Sequence, residues 1–305
     1  MGTRGSALAL AQSRQVARQL ETLNPGLRVE ERIIRTTGDA QQTAALPAIG
    51  GKGVFTLEIE QALLAREIDF AVHSLKDLPP LFPAGLCLAA VPQRESAADV
   101  LILHSRFAQS TLCADWQTLL PQNARVGTSS LRRAAQLKYL RPDFRIENVR
   151  GNIDTRLRKL EEQNFDAIVL ALAGLNRLEL SVGYAIEFDQ RQFVPAPGQG
   201  ALAIEARSDD EAVLKVLSSL EHAATRSEIV AERTAMEALN AGCSTPLGAR
   251  AVASENNLEL WGAVLSTDGT RRLFAHVQST LEASENAGRE LASLLQFQGA
   301  GELIS

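Results

Sequence analysis

The chain has 305 residues, is 45% hydrophobic and 22% charged, and carries a formal net charge of −5. This composition excludes disorder, collagen and coiled coil, and supplies apolar material for about two domains with room for a third. No run approaches the roughly 18 uninterrupted apolar residues of a membrane helix, the first residues lack the pattern of a secretory signal, and three scattered cysteines fit a reducing cytoplasm rather than a disulfide or zinc framework.

In chain order, residues 8–23 have the period of an amphipathic helix, closed by the Asn24-Pro25-Gly26 turn. Residues 28–35 alternate as a strand, 55–65 are helical in period, and 70–75 form a buried strand running into Lys76-Asp77 before Pro79-Pro80. Residues 86–91 are a further strand. Strand, helix, strand in this rhythm predicts parallel α/β units. A second block repeats it, with strands at 100–103, 125–127, 145–149 and 167–172 and helices at 129–140 and 154–163. Residues 194–200, Val-Pro-Ala-Pro-Gly-Gln-Gly, interrupt regular structure and mark a domain crossing, after which 201–206 alternate as a strand. Helices at 211–220 and 228–239, strands at 258–266 and 272–279 and a helix at 285–295 then predict a separate α+β domain.

The charge is unevenly spread. Only 5 of the 31 basic residues are lysine, and residues 121–160 carry a local balance of +7, so the remainder holds about −12. Arginine forks bind carboxylate or phosphate bidentately. A basic zone inside an acidic chain predicts a localised anion site, whereas a nucleic-acid coat would bring a basic chain and more aromatics than 5%.

Gly127-Thr128-Ser129-Ser130-Leu131-Arg132-Arg133 puts a glycine turn, hydroxyl residues and two arginines at the start of a helix, where backbone N–H groups and the helix dipole favour an anion. Arg150-Gly151-Asn152-Ile153-Asp154-Thr155-Arg156 repeats this at the end of another strand, where ligand sites of open α/β sheets fall. His73-Ser74-Leu75-Lys76-Asp77 follows a buried strand; Asp77 suits a proton donor or counter-ion, and His73 reads as a buried histidine with its needs met inside the fold. Gly50-Gly51-Lys52-Gly53 lacks the Walker spacing and reads as a glycine hinge carrying one lysine. Cys87 and Cys113 read as small core residues, and Cys243, in a Gly242-Cys243-Ser244-Thr245-Pro246 loop, as an exposed reactive or modified thiol.

Seven stretches in order carry a resemblance to the hydroxymethylbilane synthase (porphobilinogen deaminase) family over nearly the whole chain: residues 3–9, 50–55, 71–79, 127–133, 150–152, 198–201 and 242–243. The resemblance implies two lobes like those of type II periplasmic binding proteins plus a small C-terminal α+β domain. Domain 1 would be residues 1–93 and 199–218, domain 2 residues 94–198, and domain 3 residues 219–305 with the cofactor cysteine. It implies a transferase that condenses four porphobilinogen units head to tail, releasing ammonia each time, onto a dipyrromethane primer held as a thioether on Cys243, and then frees the linear tetrapyrrole.

By family matching, Asp77 is catalytic and stabilises the positive pyrrole nitrogen as ammonia leaves. Lys76, Ser74, Ser130, Arg132, Arg133 and Arg150 hold the cofactor beside Cys243, while Arg4, Ser6, Gln12, Lys52, Arg150, Arg156, Arg177 and Gln199 hold substrate side chains. The implied partners are porphobilinogen and the growing chain, with no metal, nucleic acid or membrane, in a cytoplasmic monomer. Ala48 stands where some relatives have a lysine and takes no role. The family ordinarily has a few residues before the Gly2-Thr3-Arg4 stretch that form a first strand, so domain 1 is expected to lack it. The rival reading is a non-catalytic carboxylate-binding protein of the solute-binding class. It accounts for the lobes and the arginines but leaves Cys243 and the third domain unexplained.

Overall fold

In the computed structural model the described residues are 1–36, 56–79, 81–107, 116–242 and 245–304. Strands are Gly2–Thr3 (β1), Arg32–Ile33 (β2), Phe70–Ser74 (β3), Leu86–Ala90 (β4), Asp99–Leu103 (β5), Arg125–Gly127 (β6), Arg145–Glu147 (β7), Ala167–Ala171 (β8), Ala185–Glu187 (β9), Leu202–Arg207 (β10), Leu247–Ser254 (β11), Asn257–Leu265 (β12) and Arg272–Thr280 (β13). Principal helices are Ala7–Leu23 (α1), Leu57–Leu64 (α2), Leu131–Leu140 (α3), Ile153–Glu162 (α4), Leu172–Arg177 (α5), Glu211–Leu217 (α6), Ala223–Ala238 (α7) and Ser284–Phe297 (α8). The chain forms two compact units, residues 1–95 with 200–226, and residues 96–199 with 227–305.

The first unit is built on a five-stranded sheet in the order β2-β1-β3-β10-β4. β1 runs parallel to β2 and β3, whereas β10 is antiparallel to both β3 and β4. The sheet is therefore mixed: β1, β2 and β3 keep the parallel arrangement expected of α/β units, and β10 enters antiparallel. The first strand is also present: Gly2 pairs with both Arg32 and Ala71, and the Met1 ammonium donates to the Glu30 carbonyl at 2.9 Å. Of the strand expected over 28–35, only Arg32–Ile33 pairs regularly, and it is exposed.

α1 starts at Ser6, whose Oγ accepts from the Ala9 N–H at 3.3 Å, and stops at Asn24, whose amide donates to the Leu20 carbonyl at 2.9 Å. Its buried residues Gln12, Ser13, Val16 and Leu20 recur at helical spacing. Val16 and Leu20 pack on Phe70, Val72, Ile204 and Ala206. On the other sheet face Ile59, Ala62 and Leu63 of α2 cover Ala71 and Leu86. With both faces covered, every β10 residue is buried, so the strand read as alternating is enclosed on both sides.

The second unit contains a five-stranded sheet, β7-β6-β8-β5-β9, and a three-stranded sheet, β11-β12-β13. β6 is parallel to β7 and β8, while β5 is antiparallel to β8 and β9. Leu137 of α3 packs with Leu101, Val126 and Val169 on one face, and Leu160 and Leu175 of α4 and α5 pack with Val100, Ile102 and Ile168 on the other. The antiparallel meander buries one face under Ala231 and Ala235 of α7 and Leu291 and Leu295 of α8. Its opposite face carries Trp261, Ala263 and Leu265 against Ala135 of α3 and Val194. The Trp261 indole N–H donates to the Gln190 carbonyl at 2.8 Å.

Candidate active site

In the first unit β3 ends at Ser74 and continues into a 3-10 turn, Leu75–Asp77. The Leu75 N–H donates to the Ala201 carbonyl at 3.0 Å, and Leu75 and Leu78 are both buried. Anchored at both ends, the turn leaves Lys76 and Asp77 exposed. Asp77 lines a cleft of about 70 Å³ with Arg4, Ser6, Gln12, Thr56, His73 and Ser74. Gln12 is only 4% exposed, and its amide donates to Ser74 Oγ at 2.8 Å, which fixes the wall opposite Asp77. Five of the sequence-predicted residues (Arg4, Ser6, Gln12, Ser74, Asp77) thus meet in one cleft. Lys76 lies on the same turn outside the lining.

The second unit carries the arginine motifs. Gly127 is closely packed: a Cβ there would lie 3.0 Å from Ile168 Cγ2 and 3.1 Å from Val149 Cγ1, so a side chain would have to push these methyls aside. Ser130 caps α3 by accepting from the Arg133 N–H at 3.4 Å, and Ser129 Oγ donates to the Val149 carbonyl at 2.8 Å. Arg132 and Arg133 were expected to face an anion at the helix start, but both point into the protein. Each guanidinium lies 2.7 Å from an oxygen of Asp99, with side-chain exposures of 5%, 7% and 0% for Arg132, Arg133 and Asp99.

Arg132 also donates to the Val194 carbonyl at 2.7 Å, so its approach to Asp99 is a close ion contact rather than an aligned hydrogen bond. Gln199, 1% exposed, donates to Asp99 Oδ1 at 2.9 Å and to the Ala97 carbonyl at 2.7 Å. Burial works to raise the Asp99 carboxyl, but Arg132 and Arg133 outweigh it and bring it down to about 2. Burial pulls the Arg132 guanidinium below its ordinary range, Asp99 opposes this, and Arg133 adds to it.

With all three ionised, this cluster has two cations and one anion and keeps a net positive charge under the N-terminus of α3. Arg150 is half-buried in the turn after β7, where Gly151 has φ +114°. Arg156 Nε donates to the Gly151 carbonyl at 2.8 Å, and Lys159 donates to the Arg150 carbonyl at 3.1 Å. Arg177 is half-buried at the end of α5.

Lys52, the 50–53 glycine stretch, Ala48, Cys113 and Cys243 lie outside the described residues. Cys87 is half-buried on β4, and burial followed by the Glu205 charge pushes its thiol up, with Arg226 opposing, which suits an inert core cysteine. Two residues of these sites escaped the sequence reading. Asp99 opens an apolar strand, and an acid there signals a buried cation partner. His73 was read as buried, which it is, but not as part of the cleft wall. Among the described residues no group of three or more His, Cys, Asp or Glu could hold a metal ion, and no helix is long and apolar enough to cross a membrane.

Each unit therefore holds a mixed α/β sheet with polar or cationic groups gathered beyond its strand ends, the layout of an α/β protein that handles an anionic ligand. The chain belongs to the porphobilinogen deaminase family. The family model "porphobilinogen deaminase, dipyromethane cofactor binding domain" matches residues 1–215, and that of the C-terminal domain matches residues 227–296. The porphobilinogen deaminase of Syntrophomonas wolfei is 46% identical, covering 100% of this chain and 97% of that one. The Syntrophobacter fumaroxidans protein of the same name is 45% identical, with 100% and 96% covered. Among solved structures, an ancestral cationic amino acid solute binding protein is 15% identical with a TM-score of 0.39, covering 68% of this chain and 76% of that one.

Proposed function

We propose that this chain is a hydroxymethylbilane synthase. It condenses four porphobilinogen units head to tail with loss of ammonia onto a dipyrromethane primer and releases the linear tetrapyrrole. The observation that carries this reading is the Asp77 turn, which presents an exposed carboxylate in a polar cleft whose other groups come from α1 and β3. When ammonia leaves porphobilinogen, positive charge develops on the pyrrole nitrogen, and a fixed carboxylate opposes that charge most strongly where water is partly excluded. Asp77 is the catalytic residue in this reading. Gln12, locked to Ser74, and Arg4 orient the substrate in the cleft.

Each pyrrole unit brings two carboxylates, and the donor set of the second unit fits a polycarboxylate. The Asp99 cluster keeps a net positive charge beneath α3, Ser130 opens that helix, and Arg150, Arg156 and Arg177 belong to the same unit. In this reading the buried Arg132 and Arg133 act through space, Gln199 holds Asp99 in place, and Arg150 and Arg156 are the direct forks. A dipyrromethane on Cys243 supplies the nucleophilic pyrrole carbon from which the chain grows. Lys52 and Lys76 supply further cations.

The reading extends to a cytoplasmic monomer of three domains, 1–93 with 199–218, 94–198 and 219–305, with no nucleic-acid, membrane or metal partner. The test is the intact denatured mass of protein made in cells that synthesise porphobilinogen. We expect an excess equal to two linked pyrrole units, absent in Cys243→Ser, together with ammonia release from added porphobilinogen. An unmodified mass with no ammonia release returns the chain to the rival class of non-catalytic carboxylate binders.

A further inference from the structure

One residue of the Asp77 cleft, His73, belongs to a buried acid–imidazole pair that the roles above leave unused. On the β3–β10 ladder His73 stands opposite Ala203 and Glu205 opposite Ala71, so both side chains emerge on the sheet face covered by α2. His73 Nε2 lies 3.0 Å from Glu205 Oε2, with side-chain exposures of 5% and 0%. Among the described residues neither Glu205 oxygen nor His73 Nε2 has an aligned hydrogen bond, and their close approach pairs imidazole with carboxyl. Ile59, Leu63 and Ala71 supply apolar packing on the same face, and a buried acid adds nothing to such packing unless its proton or charge is used. His73 is among the residues that line the Asp77 cleft, four positions before Asp77 in the chain.

We propose that His73 is the general base that takes the proton from the pyrrole α-carbon once the new carbon–carbon bond has formed, with Glu205 as its positioning residue. The inference rests on the hydroxymethylbilane synthase reading. After the terminal pyrrole attacks the electron-poor methylene, its α-carbon bears four bonds and still holds its hydrogen. The C–H electron pair returns to the ring, restoring aromaticity, and the proton goes to His73. Because Nε2 faces Glu205, the accepting atom is Nδ1, and the imidazolium that forms lies against the Glu205 carboxylate.

The proton then passes to the released ammonia or to water, so no other reactant is needed. In this division of labour Asp77 stays ionised as the counter-ion while His73 takes the proton. Two groups with two roles fit the cleft better. Among the described residues, the other titratable or charged groups on the surrounding elements are Arg4, Lys76 and Asp77 at the cleft and its turn, Glu58 and buried Glu60 on α2, buried Arg207 on β10, and Cys87 on β4.

The test uses the loaded enzyme and porphobilinogen deuterated at its free α-carbon. We expect His73→Asn to lower kcat by about 10²-fold or more and to expose a primary deuterium isotope effect that the unaltered enzyme lacks. Glu205→Gln moves both quantities in the same direction. Turnover in His73→Asn that is unchanged, or lost with no isotope effect, overturns the proposal in favour of a structural role. Should the variants fail to fold, ¹⁵N-histidine NMR of the unaltered enzyme decides: neutral His73 carrying its proton on Nε2 supports the proposal, and a proton on Nδ1 overturns it. An unaltered, cofactor-loaded protein that releases no ammonia from porphobilinogen defeats the functional reading and this inference together.

Discussion

Asp99 binds two arginines and is fully enclosed, and among the described residues its charge is the ionic counterweight of both buried guanidiniums. Asp99→Asn keeps the shape and removes the anion, leaving two cations in a low dielectric. The expected loss is about 3–5 kcal/mol, read as a lower denaturant midpoint at unchanged slope. The pH dependence has a definite sign. The folded carboxyl titrates near 2 against an ordinary 3.8, so its stabilisation is complete above 3.8 and disappears as pH falls through 2. Acid unfolding between those values should therefore be steeper in the unaltered protein than in Asp99→Asn.

Asp77 presents the opposite case, because it is exposed and anchored through its neighbours. Asp77→Asn should melt within about 0.5 kcal/mol of the parent while turnover falls by about 10²-fold or more. Thermal melting beside an ammonia-release assay checks both halves. Asp77 stood out only as an acid on a strand-end turn, a weak signal by itself, and its catalytic role came from the family resemblance. Asp99 did not stand out, since its partners stand far along the chain and only the fold brings them together.

At the scale of elements, the helices were readable wherever an apolar period met a cap. Ser130 is one such cap, and Ser130→Ala should cost about 1 kcal/mol, measurable by denaturation of the apoprotein. α8 sets a stricter condition. A Cβ on Gly288 would stand 2.5 Å from the Ala231 carbonyl oxygen and 2.7 Å from Thr234 Cβ, both on α7. Helix propensity favours Gly288→Ala by about 1 kcal/mol, but overpacking costs about 1–3 kcal/mol. Calorimetry should therefore show a net loss, and a gain would mean that α7 and α8 can part without penalty. The strands were read less well. Gly2–Thr3 is too short to show a period, and Leu247–Ser254 is so rich in alanine and glycine that its alternation has no amplitude. Neither has a local pattern strong enough to announce a strand; pairing with neighbours defines both.

For the whole molecule, the position of β10 governs how the first unit can form. It lies between β3 and β4, pairing with five residues of β3 and four of β4, yet follows them by more than a hundred positions. Nothing in residues 202–207 reveals that place; the local pattern says strand, and only the sheet says centre. Residues 1–95 alone should therefore fail to fold, because β4 would have no partner and Phe70, Val72 and Ala90 would lose Ile204 and Ala206 from their shared core. The ends to be joined are close, since the Glu95 N–H donates to the Gly200 carbonyl at 3.2 Å. Fusing 1–95 to 200–226 through a linker of about 4–6 residues should restore a cooperative thermal transition and protected amides in β3, while 1–95 alone shows neither. A cooperative transition in 1–95 by itself would mean that β3 and β4 find another pairing, and β10 would then be an addition to the sheet rather than its centre.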